Sequence, residues 1–349
     1  MEPVGFGVIG VGIVGGAWHA QAYATLPGAK LVGVCDLNEQ RAAEIAHKYG
    51  GARVYTDYRE LLADPEIKAV SIATPDHLHR EMAVAAAEAG KHILVEKPLA
   101  TTVEDAAAIV RAAKRAGVKL AVDFHNRVSP PFAAAKLAVS KGDLGRPTYI
   151  YAHLSNTTWV ATQMLPWASK SSALWFLGSH IADLAQWLFD SRPQRVYAVS
   201  RSGILASMGV DTQDFHVAIV EFENGAVATL ENAWILPETE PSVFNFKFEL
   251  LGSKGSIYVN TSDHRTIEKY TTEAASLPDV LGITFENDSP RPTGFVMEAL
   301  ARFVDGVVWD KPLMATGDDG LIVTQILSAV TESVRTGQPV DIQPITLDV

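Results

Sequence analysis

The first third of the chain alternates short apolar runs with helical stretches, and few folds accommodate such a regular alternation. The apolar runs begin near Phe6, Lys30, Ala69, His92 and Lys119. Their Val, Ile, Leu and Ala residues are nearly continuous, which is typical of strands that are buried on both faces. The pattern predicts an α/β fold with a doubly wound parallel sheet that carries helices on both faces.

The pattern changes near residue 124, and this change sets the predicted domain boundary. Asn224-Gly225 lies between two strand-like runs and is a strong signal of a hairpin. A second hairpin is predicted around residues 252–255, and this half of the chain resembles an antiparallel sheet with helices on one face. We therefore predict two domains, over residues 1–123 and 124–349.

The composition excludes several classes of protein. The 349 residues carry 29 basic and 40 acidic side chains, a net charge of -11, whereas a nucleic-acid-binding protein needs a basic face. The single cysteine, Cys35, cannot form an internal disulfide, which favours a reducing compartment. The N-terminus lacks the pattern of a signal peptide, and no apolar run is long enough to span a membrane. We expect a soluble, cytoplasmic protein with no nucleic-acid or membrane partner.

A GxGxxG motif lies between the first predicted strand and the first predicted helix. Gly10 permits a tight turn, Gly12 lets the backbone approach a pyrophosphate, and Gly15 lets the helix pack against the strand. Ile13 and Val14 complete the motif, and the pyrophosphate binds the free N–H groups at the start of the helix. The motif alone is weak, but its place in the chain predicts a dinucleotide site. The alternative is a glycine-rich turn in another doubly wound protein.

Asp36 ends the second predicted strand, about 20 residues after Gly15. An acidic side chain at this place accepts hydrogen bonds from the hydroxyls of the adenosine ribose, and its charge repels the 2′-phosphate of NADP. The sequence therefore predicts NAD as the cofactor. The alternative is that Asp36 only starts a turn or caps the helix at Asn38.

Two polar segments follow the third and fourth predicted strands, at the edge of a parallel sheet where ligands bind. The first contains Thr74, Pro75 and His77, and the second contains Glu96 and Lys97. A proline follows the lysine and keeps its backbone extended. A lysine at this place can exchange a proton with a substrate oxygen if nearby positive charge lowers its pKa. The alternative is an ordinary surface lysine.

Taken together, four motifs resemble those of the Gfo/Idh/MocA oxidoreductases, which include glucose–fructose oxidoreductase and inositol dehydrogenase. The motifs are Gly10-x-Gly12-x-x-Gly15, Ala73-Thr74-Pro75, Glu96-Lys97-Pro98 and Gly178-Ser179-His180-Ile181-Ala182-Asp183. They follow one another in the family's order along essentially the whole chain. The resemblance implies a Rossmann domain and a C-terminal α+β domain with a large, open, mostly antiparallel sheet.

The same resemblance implies a reaction and an assembly. The family mostly transfers a hydride between nicotinamide and a secondary alcohol of a sugar, a sugar derivative or a cyclitol. It follows that Lys97 contacts the substrate hydroxyl and that His180 accepts its proton. The open sheet implies a homodimer or a homotetramer. The predicted cofactor contacts are Gly10, Gly12, Ile13, Val14, Gly15, Asp36, Thr74, Pro75, His77, Glu96 and Lys97.

One position departs from the family pattern. His180 corresponds to the histidine of the family's Asp-x-x-x-His motif, but Phe176 stands where the acid is frequent. The carboxylate that contacts the substrate or assists the base is therefore missing. Helical spacing places His180 at the edge of an apolar stripe, with Asp183 one turn further on, where it can orient the imidazole. The alternative for His180 is a boundary histidine with ordinary partners.

Aromatic and polar residues near these motifs are the predicted contacts of the substrate. Residues 155–172 lack a clear period and are predicted to form a loop, which is often functional. Trp159 and Trp167 lie in this segment and can stack on a sugar ring, although core packing is the alternative for each. Further predicted contacts are Asn126, Arg127, His153 and Asp183.

The sequence favours no metal site, and it leaves two other functions open. His77 and His79 can share one face of an extended segment, but no third ligand is clustered with them. The other functions are a glycosidase that uses NAD without net redox change and a non-catalytic dinucleotide sensor. Net formation of NADH distinguishes a dehydrogenase from the glycosidase. The pair of Lys97 and His180 argues against the sensor.

Overall fold

A computed structural model of the chain describes residues 2–262, 269–273, 275–276 and 293–347. The chain divides into two compact units. Within the described residues, the first unit comprises residues 2–128, 293–321 and 346–347. The second unit comprises residues 129–262, 269–273, 275–276 and 322–345.

Six parallel strands form the sheet of the first unit, which confirms the predicted doubly wound architecture. In chain order they are β1 (Val4–Ile9), β2 (Ala29–Cys35), β3 (Arg53–Tyr55), β4 (Ile67–Ile72), β5 (His92–Val95) and β6 (Leu120–Val122). The spatial order is β3-β2-β1-β4-β5-β6, so the direction of winding reverses between β1 and β4. Dinucleotides bind at this switch point in such sheets. The sequence did not predict β3, because its three partly exposed residues form no apolar run.

Seven strands form the sheet of the second unit, and all their pairings but one are antiparallel. The strands after β6 are β7 (Pro147–Thr157), β8 (Pro193–Arg201), β9 (Phe215–Phe222), β10 (Val227–Leu236), β11 (Phe244–Gly252), β12 (Ser256–Asn260), β13 (Lys269–Tyr270), β14 (Ala275–Ser276) and β15 (Val340–Asp341). The order in the large sheet is β12-β11-β7-β10-β9-β8-β15, and β13 pairs with β14 apart from it. The predicted hairpins β9–β10 and β11–β12 are confirmed, whereas β7 and β10 pair in parallel.

Helices alternate with the strands in the first unit and cover one face of the large sheet in the second. In chain order they are α1 (Ala20–Thr25), α2 (Glu39–Lys48), α3 (Tyr58–Ala63), α4 (His79–Glu88), α5 (Val103–Ala116), α6 (Pro130–Lys141), α7 (Ser179–Phe189), α8 (Ile204–Ser207), α9 (Phe295–Trp309) and α10 (Gly317–Thr336). The ring of Phe132 in α6 lies 5.1 Å from that of Phe246 and 5.3 Å from that of Phe248. The opposite face of the sheet exposes Tyr197 and Ile219.

The first unit takes in more of the chain than the sequence predicts. It extends to Val128 rather than residue 123, and it includes α9, which the predicted boundary assigns to the second domain. Phe303 of α9 lies edge-on to Phe6 of β1, with ring centroids 6.1 Å apart. The apolar residues of α9 thus complete the core of the parallel sheet. An amphipathic pattern reveals that a helix has a buried face but does not tell which sheet covers it.

The segment predicted as a loop is partly helical. β7 continues to Thr157, and the following residues contain a π-helical turn over Val160–Met164 and a 3₁₀ turn over Ala168–Lys170. The prediction of a loop over residues 155–172 was therefore wrong in part, because turns this short show no period in a sequence. Among the described residues, no helix is both long and apolar enough to cross a membrane.

Candidate functional site

The glycine-rich turn after β1 leaves room for a pyrophosphate. Gly10 has a φ of +86°, and a Cβ there would lie 2.8 Å from the carbonyl oxygen of Ala73. A Cβ on Gly15 would lie 1.9 Å from the carbonyl oxygen of Gly10. A Cβ on Gly12, by contrast, would meet no atom within 4 Å. The turn therefore needs glycine at its first and last positions, and the space beside Gly12 is open to a ligand, as NAD requires.

The Asp36 carboxylate lies beside this turn. One of its oxygens accepts the N–H of Val11 at 3.1 Å, and the other accepts the N–H of Asn38 at 2.9 Å. Asn38 itself caps α2, because its side chain accepts the N–H of Arg41. The Arg41 guanidinium also lies 3.6 Å from Asp36. Asp36 is half-buried directly after β2, and its contact with the adenosine ribose stays a prediction.

Two neighbouring loops at the carboxyl edge of the first sheet carry the other predicted cofactor contacts. Thr74, Pro75 and His77 follow β4, and Glu96 and Lys97 follow β5. The strands β4 and β5 pair directly in parallel, which brings the two loops to the same edge. Both loops therefore lie where ligands bind in open α/β sheets.

His79 joins these two loops, a role that the sequence did not reveal. Its Nδ1 lies 2.8 Å from the carbonyl oxygen of Pro98, and its Nε2 lies 3.0 Å from the carbonyl oxygen of Thr74. Because both partners only accept, both hydrogen bonds form only with the protonated ring. Burial lowers the pKa of His79, which the nearby Asp76 carboxylate opposes. The sole signal in the sequence was a histidine two residues after His77, which suggested only a pair of metal ligands.

Lys97 is half-buried directly after β5 and precedes Pro98 through a cis peptide bond. Burial lowers the pKa of its ammonium group, whereas the carboxylates of Glu96, Asp76 and Asp123 raise it, and burial prevails. Nearby positive charge was the predicted cause of a lowered pKa for Lys97, but the cause is burial. A lysine with a lowered pKa is suited to donate a hydrogen bond or a proton to a substrate oxygen.

A buried polar cluster lies next to this lysine in the chain. We call His19, Tyr23, Ser71, Glu96 and Asp123 the His19 cluster, and all five side chains are buried. Nδ1 of His19 lies 2.8 Å from the Ser71 hydroxyl, and Nε2 lies 3.0 Å from the Glu96 carboxylate. The Tyr23 hydroxyl also bonds to Ser71. The carboxylate of Glu96, a predicted cofactor contact, is thus engaged by His19.

Arg127, a predicted substrate contact together with Asn126, anchors part of the first unit. It is buried, donates to the carbonyl oxygen of Met314 at 3.0 Å and lies 3.0 Å from the carboxylate of Asp319 in α10. A buried guanidinium requires such compensation of its charge. Asn126 is buried beside it in the chain, and its contact with the substrate stays a prediction.

In the second unit, His180 is the second residue of α7 and follows a π-helical turn over Leu174–Gly178. It is 7% exposed, and Asp183 is 1% exposed. The helix is buried around most of its circumference, so the predicted single stripe was too narrow. A helix that is mostly apolar all round is covered on several sides. π-helical turns are frequent at functional sites, which is consistent with the predicted role of His180.

Aromatic rings surround Phe176, the residue that replaces the family's acid. Its ring centroid lies 6.3 Å from that of Trp167 and 5.8 Å from that of Trp234. Trp167 is therefore part of an aromatic group that includes Phe176, and its contact with a substrate stays a prediction. Trp159 is 36% exposed and precedes the first π-helical turn of this unit.

His153, another predicted substrate contact, lies on a different face from α7. Its Nδ1 is 3.0 Å from the carboxylate of Glu231, to which Tyr151 donates at 2.8 Å. Side chains of a strand alternate between its two faces, and the next residue, Leu154, is buried. His153 therefore points to the open face of the sheet, and the structure does not bring it to His180.

Two family models match the chain. The model described as "Oxidoreductase family, NAD-binding Rossmann fold" matches residues 4–124, and the model described as "GFO/IDH/MocA C-terminal domain" matches residues 132–258. The chain belongs to the Gfo/Idh/MocA family of oxidoreductases. The resemblance of its motifs to this family is thereby confirmed.

Named relatives of this Gfo/Idh/MocA protein are dehydrogenases. The "scyllo-inositol 2-dehydrogenase (NAD(+))" of Bacillus subtilis (strain 168) is 30% identical, over 96% of this chain and 95% of that protein. The "Levoglucosan dehydrogenase" of Pseudarthrobacter phenanthrenivorans is 32% identical, over 74% of each chain. The crystal structure of GenD2 from gentamicin A biosynthesis, in complex with NAD, has a TM-score of 0.83 and 26% identity, over 99% of this chain and 97% of that one.

These findings confirm the predicted cofactor and class of reaction. The chain is an NAD-dependent oxidoreductase that acts on CH–OH groups. The two alternatives, a redox-neutral glycosidase and a non-catalytic sensor, are not favoured, because the named relatives are dehydrogenases.

Proposed function

We propose that this Gfo/Idh/MocA oxidoreductase transfers a hydride between NAD and a secondary alcohol of a sugar, a sugar derivative or a cyclitol. The names of two relatives, a scyllo-inositol dehydrogenase and a levoglucosan dehydrogenase, support this substrate class. The observation that carries the proposal is Lys97, a half-buried lysine with a lowered pKa at the same sheet edge as the open space beside Gly12.

The proposed roles divide hydride and proton transfer between cofactor and protein. NAD supplies the hydride acceptor at its nicotinamide ring. Lys97 donates a hydrogen bond that polarises the substrate oxygen, and His180 accepts the hydroxyl proton. Asp183, one helical turn later, orients the imidazole. The proposed cofactor contacts are Gly10, Gly12, Ile13, Val14, Gly15, Asp36, Thr74, Pro75, His77, Glu96 and Lys97.

Assays of polyols and sugars with NAD, followed by NADH absorbance, test this function. At least one cyclitol or sugar should yield NADH in proportion to its ketone product, whereas a redox-neutral glycosidase yields none.

A positioned base contributes about 10²–10⁴-fold to the rate, so Lys97→Ala and His180→Ala should each lower kcat by at least about 100-fold. The matched controls Lys48→Ala and His47→Ala change exposed residues near the end of α2 and should leave kcat unchanged. Turnover at the wild-type level in Lys97→Ala or His180→Ala contradicts the proposed roles.

The preference for NAD over NADP is a further part of the proposal. Asp36 presents a carboxylate beside the glycine turn, and a 2′-phosphate placed there would meet its charge. We expect a higher kcat/KM with NAD than with NADP, and a smaller difference in Asp36→Asn. A clear preference of the wild-type enzyme for NADP refutes this assignment.

We also propose a homodimer or homotetramer formed through the open face of the second sheet. Tyr197, Val199, Ile219 and Tyr258 expose more than a third of their surface, and apolar side chains gathered on one face are typical of an interface. Ile219→Lys should lower the molar mass measured by light scattering, and an unchanged mass argues against this interface. A cytoplasmic location is proposed because the single cysteine, Cys35, is a free, buried thiol and the chain can form no internal disulfide.

A further inference from the structure

The His19 cluster connects the residue that directly precedes α1 to the backbone of Lys97. The Ser71 hydroxyl on β4 holds Nδ1 of His19, and Nε2 lies 3.0 Å from one oxygen of Glu96. The other oxygen of Glu96 accepts the main-chain N–H of Lys97 at 3.2 Å. The Glu96 carboxylate therefore bridges the imidazole of His19 and the backbone of the proposed catalytic lysine.

The two carboxyl groups of the cluster have pKa values that are shifted in opposite directions. Burial by itself raises the pKa of Glu96, but the hydrogen bond and charge of His19, with the charges of Lys97 and His125, lower it to about 2. Burial and the neighbouring Glu96 raise the pKa of Asp123, whose carboxylate lies 3.9 Å from Nε2 of His19. Glu96 is therefore the member of the pair that ionises at the lower pH, and it directly precedes Lys97 in the chain.

We propose that His19 is a positioning residue for Lys97, because it holds the Glu96 carboxylate ionised and in place and so keeps the Lys97 ammonium charged and oriented. This inference rests on the proposed function of Lys97. A buried carboxyl group that loses its cationic or hydrogen-bonding partner takes up a proton. Lys97 then loses one counter-charge while its own burial still disfavours the ammonium form.

Two other acidic groups limit the size of the expected effect. Asp76, in the loop after β4, and Asp123, after β6, also favour the charged form of Lys97. Both remain in a protein changed at position 19, so only the contribution of Glu96 is lost. We expect a shift of about one unit in the titration of Lys97, since one nearby opposite charge shifts a pKa by about 1–3 units.

A metal ion is the competing interpretation of the same side chains. Ligand atoms of His19, Glu96 and Asp123 lie within 4.8 Å of one another. The 3.0 Å separation of Nε2 and the Glu96 oxygen is that of a direct hydrogen bond. Two ligands of one tetrahedral zinc ion, with bonds of about 2.0–2.1 Å, lie roughly 3.3 Å apart instead. The geometry therefore favours the hydrogen bond.

Two amide substitutions test the two hydrogen bonds of the His19 imidazole one at a time. The side chain of His19→Gln reaches the place of Nε2 and can still donate to Glu96. The shorter side chain of His19→Asn replaces Nδ1 and keeps only the contact with Ser71. Glu96→Gln removes the charge itself, and His47→Asn, at an exposed position of α2, is the control. Circular dichroism and thermal melting establish that each full-length variant is folded.

Lys97 is titrated in the unliganded protein by trace labelling with acetic anhydride over a range of pH, with its peptide quantified by mass spectrometry. His19→Asn and Glu96→Gln should lower the midpoint by about one pH unit. His19→Gln keeps the hydrogen bond to Glu96 but not the charge, so it should lower the midpoint less, and His47→Asn should leave it at the wild-type value. The alkaline limb of kcat/KM should move to lower pH by the same amount, because Lys97 acts in its charged form. An unmoved midpoint in His19→Asn, or an equal fall in His19→Asn and His19→Gln, overturns the inference.

Two further results separate this inference from its alternatives. Stoichiometric divalent metal in the purified wild-type protein that is lost in His19→Asn overturns it in favour of a metal site. The labelling needs no substrate, so a shifted midpoint combined with normal turnover of Lys97→Ala refutes the proposed catalytic role of Lys97 and leaves the link between His19 and Lys97 standing. Lost turnover of Lys97→Ala with an unmoved midpoint refutes the inference alone.

Discussion

Each unit of the chain buries a histidine against its own sheet, and the two histidines differ in their partners. His19 in the first unit has Ser71 on one ring nitrogen and Glu96 on the other. His216 on β9 of the second unit is 3% exposed, and its Nδ1 has no hydrogen-bond partner among the described residues. Its cross-strand neighbours are Asn232 and Ser200, which carry no charge. Burial therefore lowers the pKa of His216 to about 4.

The difference shows what a buried network of opposite charges contributes. In the first unit, His19 keeps Glu96 ionised in spite of its burial, so a negative charge is available beside Lys97. In the second unit, burial of His216 disfavours its protonated form, so the folded chain loses stability in acid. Among the residues that the structure describes, this histidine keeps no neighbouring group charged. The two units should therefore lose stability over different ranges of pH, and substitutions within each network can test this.

The largest of these effects is expected for His216. The unfolded chain protonates this residue below its ordinary pKa of 6.5, whereas the folded chain does so only below about 4. Its stability contribution is thus complete above pH 6.5 and falls as the pH drops towards 4, by roughly 3 kcal/mol at most. His216→Gln should abolish this dependence. Urea unfolding at a series of pH values, followed by tryptophan fluorescence, measures it, and equal slopes in variant and wild type contradict the assignment.

A smaller effect at lower pH is expected for Glu96. Its folded pKa of about 2 lies below the ordinary value of 4.5, so its contribution is complete above pH 4.5 and is lost as the pH falls towards 2. Asp123 titrates with the opposite sign, because its folded pKa is raised, and this opposes part of the loss of stability. The stability difference between wild type and Glu96→Gln should shrink over this range. A difference that stays constant with pH rules out the proposed charge on Glu96.

The parts of the fold that depend on local pattern were predictable from the sequence. Continuous apolar runs identified every parallel strand except β3, and Asn224-Gly225 identified the hairpin of β9 and β10. The parallel pairing of β7 with β10 and the place of α9 in the first unit were not predicted. Both depend on packing between elements that are remote in the chain, which spacing along a sequence does not record.

The residues of the candidate site also fall into those that the sequence predicts and those that it does not. Lys97 and Asp36 follow strands and belong to short motifs, so their places at the sheet edge were predictable. His19 and His79 were not. The partners of His19 lie 52 and 77 residues away in the chain, and those of His79 are main-chain carbonyl groups, which no residue type reveals. Ser71, one partner of His19, lies within an apolar run and gave no signal of its own.

The smallest effects on stability are expected from substitutions of two buried serines, one in each unit. Their side chains are equally buried but differ in their hydrogen bonds. Ser71 and Ser179 are both 0% exposed. The hydroxyl of Ser71 bonds to His19 and Tyr23, whereas that of Ser179 has no partner among the described residues. Removing a buried partner leaves other polar groups unsatisfied, at a cost of about 1–3 kcal/mol, whereas removing an unsatisfied hydroxyl carries no such cost.

Ser71→Ala should therefore destabilise the protein by about 1–2 kcal/mol, and Ser179→Ala should leave its stability unchanged or raise it slightly. Thermal melting of both variants beside wild type measures the difference. An equal loss in the two variants means that Ser179 is bonded to a bound water or ligand, and the contrast between the two units then disappears. Because each change removes a single oxygen, packing is nearly conserved, and the comparison isolates the hydrogen bonds that hold His19 in place.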